Sequence, residues 1–324
     1  MTPALCVDAG TLEHNLRRMA EALPGPRLRP HVKAHKCTAL ARRQAALGHP
    51  GFTCATAREM EGLAKAGLGD DLLLANEVVH PGALACLARL EARVTVAVDS
   101  EETLDAAAAA GIGEVVVDVN VGLPRCGCPP EAAGDLAERA RAAGLAVRGV
   151  MGYEGHAMVI DDPDKRAEVT EQAMALLARA HADVGGELVS AGGTCTYAAN
   201  RLATEIQAGS YALMDTTFTY PDIPFRPAMW VESTVLSVSR DYAVADCGLK
   251  SLAMDHGNPT VEGGTVWFCS DEHLTFAPDS PRRVGDRVRV WPTHVDPTVA
   301  KHEKLLVVEG ERVLERWEVD LRGW

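Results

Sequence analysis

No stretch of this 324-residue chain is apolar for long enough to cross a bilayer, and the opening MTPALCVDAG lacks the basic and long apolar regions of a secretory signal. A cytoplasmic protein is expected. Paired CxxC spacings are absent as well: nine cysteines lie scattered at 6, 37, 54, 86, 126, 128, 195, 247 and 269. Their odd number and spacing argue against a disulfide framework or a zinc knuckle and point to reduced, mostly buried thiols. Basic residues are in deficit, 32 against 45 acidic ones for a net charge of −13. That deficit argues against a general nucleic-acid or anionic-membrane binder, though local pockets can still hold small anions. Internal repeats, low-complexity tracts and flexible linkers are missing too. What remains is ordinary globular composition, 47% hydrophobic and 24% charged. The length implies two domains, or one barrel with an appended module.

The chain is organised around RLRPHVKAHK, residues 27 to 36. Leu28, Pro30, Val32 and Ala34 alternate with Arg27, Arg29, His31 and Lys33, which predicts a short strand with one apolar and one nitrogen-bearing face. Lys33 then shares a face with His31 and His35. Crowding by cationic neighbours in a low dielectric disfavours an ammonium, as a Schiff-base lysine requires. Lys36 points the other way. The alternative is a basic strand end that binds an anion or is simply solvated.

Before it, Thr11 is expected to cap a helix whose apolar residues are Leu12, Leu16, Met19, Ala20 and Leu23. After it, short apolar strands alternate with alanine-rich helices, the pattern of a covered parallel sheet. Strands near 27, 52, 72, 94, 115, 147, 188 and 206 make eight, the number that closes a (β/α)8 TIM barrel. An open doubly wound sheet is the alternative. From about residue 225 the texture changes to β-branched strands divided by Gly, Pro and Asp turns, a separate antiparallel β domain. The expected division is a barrel over 12–224 and a β domain over 225–324, completed by an N-terminal strand in 1–11.

Polar residues fall at the expected strand C-termini, where such barrels assemble their active sites. The glycine clusters SAGGTCTY and QAGSY offer the backbone N–H groups of Gly192, Gly193 and Gly209 and the hydroxyls of Thr194 and Ser210 to a phosphate; plain turns also use glycine. Gln207 lies on the face of Gly209, where a neutral amide suits a heteroaromatic nitrogen. Arg125 either donates to a phenolate or carboxylate or is a loop arginine. In GYEGHAM, Tyr153 is joined by His156, a candidate general base near pH 7. His294 and Asp296, two apart at the end of the predicted strand in GDRVRVWPTHVD, offer an oxygen-rich site for Mn²⁺ or Mg²⁺. A structural His–Asp hydrogen bond is the commoner outcome of that spacing.

TPALCVD, RPHVKAHK, GYEGH, SAGGTCTY, TEIQAGSYALMD and PTHVDPT, in that order along nearly the whole chain, resemble the D-threonine aldolase branch of the fold-type III pyridoxal phosphate enzymes. D-serine dehydratases and β-hydroxyaspartate enzymes are relatives. The resemblance implies an alanine-racemase-like barrel joined to a β domain, working as a homodimer. Lys33 would carry pyridoxal phosphate, with Arg125, Tyr153, Gly192, Gly193, Thr194, Gln207, Gly209, Ser210 and Tyr211 around it. His156 would be the base, and His294 with Asp296 the metal pair. Dehydratase relatives typically carry His-x-Cys and zinc, aldolases His-x-Asp and a harder cation, so this chain fits the aldolase pattern. It departs from the racemases in having Gln207 where they have arginine. The implied reaction cleaves a D-β-hydroxy-α-amino acid to glycine and an aldehyde. Dehydration of D-serine or 3-hydroxyaspartate, or cleavage of the latter, are alternatives on the same scaffold. A non-catalytic pyridoxal phosphate carrier is the alternative of another class, and the β-rich residues 225–324 count against it.

Overall fold

The computed structural model describes residues 1–323. They pack as two units, one of Met1–Met19, Ala34–Ala39 and Ser210–Arg322, the other chiefly Ala20–Lys33 and Leu40–Gly209. In chain order, β1 (Ala4–Asp8), α1 (Ala9–Ala22) and α2 (Thr38–Ala46) precede β2 (Phe52–Cys54), α3 (Ala57–Lys65), β3 (Leu72–Leu74), α4 (Pro81–Leu87), β4 (Val94–Val98) and α5 (Glu101–Ala109). Then come β5 (Glu114–Asp118), α6 (Ala133–Ala142), β6 (Ala146–Gly152), α7 (Pro163–Val184), β7 (Leu188–Ala191) and β8 (Glu205–Ile206).

Strands β2 and β3 are buried at every position, because helices cover the outside and side chains fill the inside. The helices start where the chain supplies a cap. Thr56 and Glu59 form a reciprocal capping box at α3, and Asp162, followed by Pro163, caps α7. At α1 the expected cap is corrected: Asp8 accepts from the Thr11 amide and hydroxyl at 2.7 and 2.9 Å, so the helix starts at Ala9.

Among the described residues the parallel sheet has seven strands, in the order β2-β3-β4-β5-β6-β7-β8. The eighth expected strand, at 27–36, is the main correction. Leu28 bridges Ile206 of β8, and His31 bridges Thr53 of β2. The amides of Arg29 and His31 donate to Ile206 and Ala208, while that of Thr53 donates to the Pro30 carbonyl. Pro30 has no N–H to extend the ladder, and the chain turns at once into a 3-10 turn, Val32–Ala34. A four-residue stave, 28–31, therefore links the first and last strands and closes the barrel. Both faces of the stave are covered, since Leu28, Arg29, Pro30 and His31 are all buried.

The other unit holds β9 (Met229–Val238), β10 (Ala243–Ala245), β11 (Thr260–Val261), β12 (Gly264–Cys269), β13 (Leu274–Pro278), β14 (Arg287–Trp291), α8 (Val295–Ala300), β15 (Lys304–Glu309) and β16 (Arg312–Glu318). The N-terminal β1 lies inside this sheet, antiparallel to β9 and parallel to β15. Trp230, Val308 and Cys6 pack together there, so the first residues of the chain serve its last domain.

Candidate active site and metal centre

In the barrel, Lys33 occupies the 3-10 turn immediately after the closing stave. Its Nζ stands 6.0 Å from the centre of the Tyr153 ring, and the Arg125 guanidinium lies 5.4 Å from the same ring. Three predicted residues from three loops thus converge on the end of the barrel where strands finish. Tyr153 follows β6 directly and rests on Gly155, where a Cβ would come within 2.5 Å of the ring. His156 packs against Gly122, and its Nδ1 is buried without a hydrogen-bond partner.

The loop after β7 is built differently from the expectation. Gly192 has φ +83°, a conformation open to glycine, and a side chain there would meet Ile206. Its N–H donates to the buried Glu154 carboxylate at 3.1 Å, and the Gly193 N–H donates to Thr196 Oγ1 at 3.0 Å. These two amides hold the loop together. What the glycines permit is close packing, since a Cβ on Gly193 would meet Met158 Sδ at 2.8 Å. Thr194 and Gly209 are buried in the same segments. Gln207 donates to Ser190 Oγ (2.9 Å), Ser190 to Glu205 (2.7 Å), and Glu205 accepts from Arg29 (2.8 Å), a chain that sets the amide's orientation. Ser210 begins another 3-10 turn, and Tyr211 is buried against Phe225, with ring centres 5.7 Å apart. The ring of Tyr211 therefore supports the segment from within the core.

At the ends of β3, β4 and β5 lies a group that sequence reasoning did not find: Glu77, Asp99 and Cys126 have donor atoms within 4.8 Å of one another, beside Asp118. Burial, reinforced by the charge of Glu77, raises the Asp118 carboxyl well above its ordinary range. A hydrogen bond to Glu77, with burial, pushes the Cys126 thiol up to about 11.

In the β unit, His294 is extended (φ −139°) just before α8 and Asp296 lies in that helix's first turn, so the pair is not on a strand face. His294 Nε2 and Asp296 Oδ2 stand 3.9 Å apart. That is too long for a hydrogen bond and of the size a shared cation bridges. Nδ1 of His294 is 2.6 Å from Oδ2 of Asp255, and the His256 ring stacks on His294 at 4.2 Å with 4° between planes. Neither Asp255 nor His256 stood out in the sequence; an acid–imidazole dipeptide before a glycine is a weak signal. Asp215, fully buried, accepts from the Val295 amide at 2.5 Å. Burial and the charge of Asp296 push its carboxyl up to about 7.

The residues present suit both groups that the sequence resemblance implies. A primary amine beside an aromatic ring, a guanidinium near that ring and an unpartnered buried imidazole nitrogen suit an aromatic phosphate ester. The His294–Asp296 gap accommodates a divalent cation.

Residues 7–217 match the alanine racemase N-terminal domain, and residues 228–308 match a putative serine dehydratase domain. Over its whole length the chain is 35% identical to a D-threonine aldolase of Arthrobacter sp., of which it covers 93%. The chain belongs to the D-threonine aldolase and D-serine dehydratase-like family of fold-type III pyridoxal phosphate enzymes. Within this family it is also 34% identical to a 3-hydroxy-D-aspartate aldolase of Paracoccus denitrificans (strain Pd 1222), covering 99% of this chain and 92% of the relative. The D-threonine aldolase from Filomicrobium marinum superposes with a TM-score of 0.94 at 35% identity, covering 100% of this chain and 96% of that one. The D-threo-3-hydroxyaspartate dehydratase from Delftia sp. HT23, at 24% identity with 100% and 98% of the two chains covered, shares the fold with a TM-score of 0.89. The fold is the alanine racemase-like one, with an antiparallel β domain.

Proposed function

We propose that this protein is a carbon–carbon lyase that cleaves D-β-hydroxy-α-amino acids of the D-threonine type to glycine and an aldehyde, with pyridoxal phosphate and a divalent cation, Mn²⁺ or Mg²⁺. The observation that carries this reading is the full-length likeness to a D-threonine aldolase. The aspartate at the second position of the His294–Asp296 pair supports a hard cation over zinc.

When bound, the coenzyme supplies an electron sink for charge at Cα and the cation supplies a Lewis acid for the β-hydroxyl. Lys33 is the amine that carries the coenzyme, flanked by Tyr153 and Arg125. Thr194, Gly209 and Ser210, with the loop of Gly192 and Gly193, are assigned to the phosphate. Gln207, its nitrogen committed to Ser190, leaves its amide oxygen to accept a hydrogen bond from the protonated pyridine nitrogen. His156, whose Nδ1 is buried without a partner, is assigned the proton of the substrate's β-hydroxyl. In the net reaction the Cα–Cβ bond breaks, the hydroxyl becomes a carbonyl, and a proton is gained at Cα.

Product analysis with D-threonine, D-serine and D-threo-3-hydroxyaspartate, with and without Mn²⁺, tests the proposal. Glycine and acetaldehyde from D-threonine, dependent on Mn²⁺, are expected. Release of 2-oxobutanoate would make it a dehydratase, and no turnover of any substrate would favour a carrier. A cytoplasmic homodimer is the proposed assembly, and light scattering is expected to give twice the chain mass.

A further inference from the structure

The two ring nitrogens of His294 face different partners. Nδ1 lies 2.6 Å from Oδ2 of Asp255, whereas Nε2 looks across 3.9 Å to Oδ2 of Asp296. An ionised carboxylate can only accept a hydrogen bond, and Asp255 Oδ2 lies within hydrogen-bond reach of Nδ1. A neutral His294 therefore carries its proton on Nδ1, and the lone pair is on Nε2, the side of Asp296. The ring plane is constrained as well. His256 stacks on it, and Phe218 meets His256 edge-on with centres 6.1 Å apart. The backbone is pinned at the same point, where Thr298 Oγ1 donates to the His294 carbonyl at 2.8 Å and Asp215 holds the next amide.

We propose that Asp255 is a positioning residue: it holds the His294 Nδ1–H, with the ring kept in plane by His256, so that the Nε2 lone pair is presented to the cation shared with Asp296. Carboxylates behind metal-bound histidines act in this way generally, fixing tautomer and orientation. Asp255, His256 and His294 have donor atoms within 4.8 Å of one another, so the competing arrangement makes Asp255 itself a ligand through the Nδ1 side. The proposal rests on the reading of His294 and Asp296 as cation ligands. Its first test is made on metal-free protein and does not depend on that reading.

Long-range ¹H–¹⁵N spectra of histidine-labelled, metal-free protein at alkaline pH are expected to show an Nδ1–H tautomer whose signal is missing in His294→Gln. Asp255→Asn keeps an acceptor oxygen and is expected to retain the signal, whereas Asp255→Ala loses it. Mn²⁺ affinity, measured by the electron paramagnetic resonance of the free ion, is then expected to fall about 10–100-fold in Asp255→Ala. Asp255→Asn is expected to fall much less, and Asp296→Ala to lose tight binding. An Nε2–H tautomer in the wild type overturns the proposal. So does wild-type affinity in Asp255→Ala, or an equal loss in the Asn and Ala variants, which would make Asp255 a ligand. If Asp296→Ala binds Mn²⁺ as tightly as the wild type while the tautomer is intact, the cation reading itself has failed and the role of Asp255 falls with it.

Discussion

Lys33 is presented by a single 3-10 turn that follows a proline-containing stave, so its amine is placed by backbone rather than by a regular element. The ring of Tyr153 within 6.0 Å and the nearby Arg125 make it the amine to which the coenzyme is assigned. Lys33→Ala is expected to lose the visible absorbance of the bound coenzyme, read by spectrophotometry on purified protein; a protein that stays yellow and active would overturn the assignment. At this scale residue types were readable, because lysine between histidines and His-x-Asp are short patterns with few chemical uses. Partners were not. Asp255 is 39 residues from His294 in the chain, and no local spacing joins them.

Helices α3, α4, α5 and α7 begin with a side-chain cap. In α3, Thr56 accepts from the Glu59 amide at 3.2 Å and Glu59 reaches back to the amides of Ala55 and Thr56 at 2.6 and 3.3 Å. Thr56→Ala removes one half of this box and is expected to destabilise the protein by about 1 kcal/mol, read as a lower urea midpoint at unchanged slope. Helices and apolar strands were legible from period and composition, since both depend on contacts within a few residues. The strand expected at 27–36 was not, because its ladder is made with β2 and β8. Proline at position 30 was the available signal that the ladder would be short.

The two ends of the barrel separate charge by purpose. At the end where strands begin, Asp71 is held by Arg29 Nη2 at 2.9 Å and by Arg148 Nη1 at 2.7 Å, and Glu205 and Glu187 take the remaining guanidinium nitrogens at 2.8 and 2.9 Å. This network lies where the strands begin, and through Glu205 and Ser190 it also reaches Gln207. Burial works against the Asp71 charge, but hydrogen bonds from Arg148 and Arg29 outweigh it and hold the carboxyl below the ordinary range. The unfolded chain then binds that proton more tightly, so the stability due to Asp71 is complete above about pH 4 and is lost as pH falls below it. Asp71→Ala is expected to cost about 3 kcal/mol at neutral pH, by leaving two buried cations short of a partner. Its urea midpoint is also expected to fall less steeply below pH 4 than that of the wild type; parallel curves would remove Asp71 from the acid sensitivity. By itself the sequence determined the succession of elements, the change from barrel to β texture and the residue types of the site, all of which follow from local period and side-chain chemistry. Tertiary structure alone decided that residues 28–31 close the barrel, that Arg29 is structural while Lys33 is presented at a turn, and that Asp255 stands behind His294. Each of these depends on which distant backbone or side chain satisfies a hydrogen bond, and pairing across such distances is set by the packed chain rather than by spacing along it.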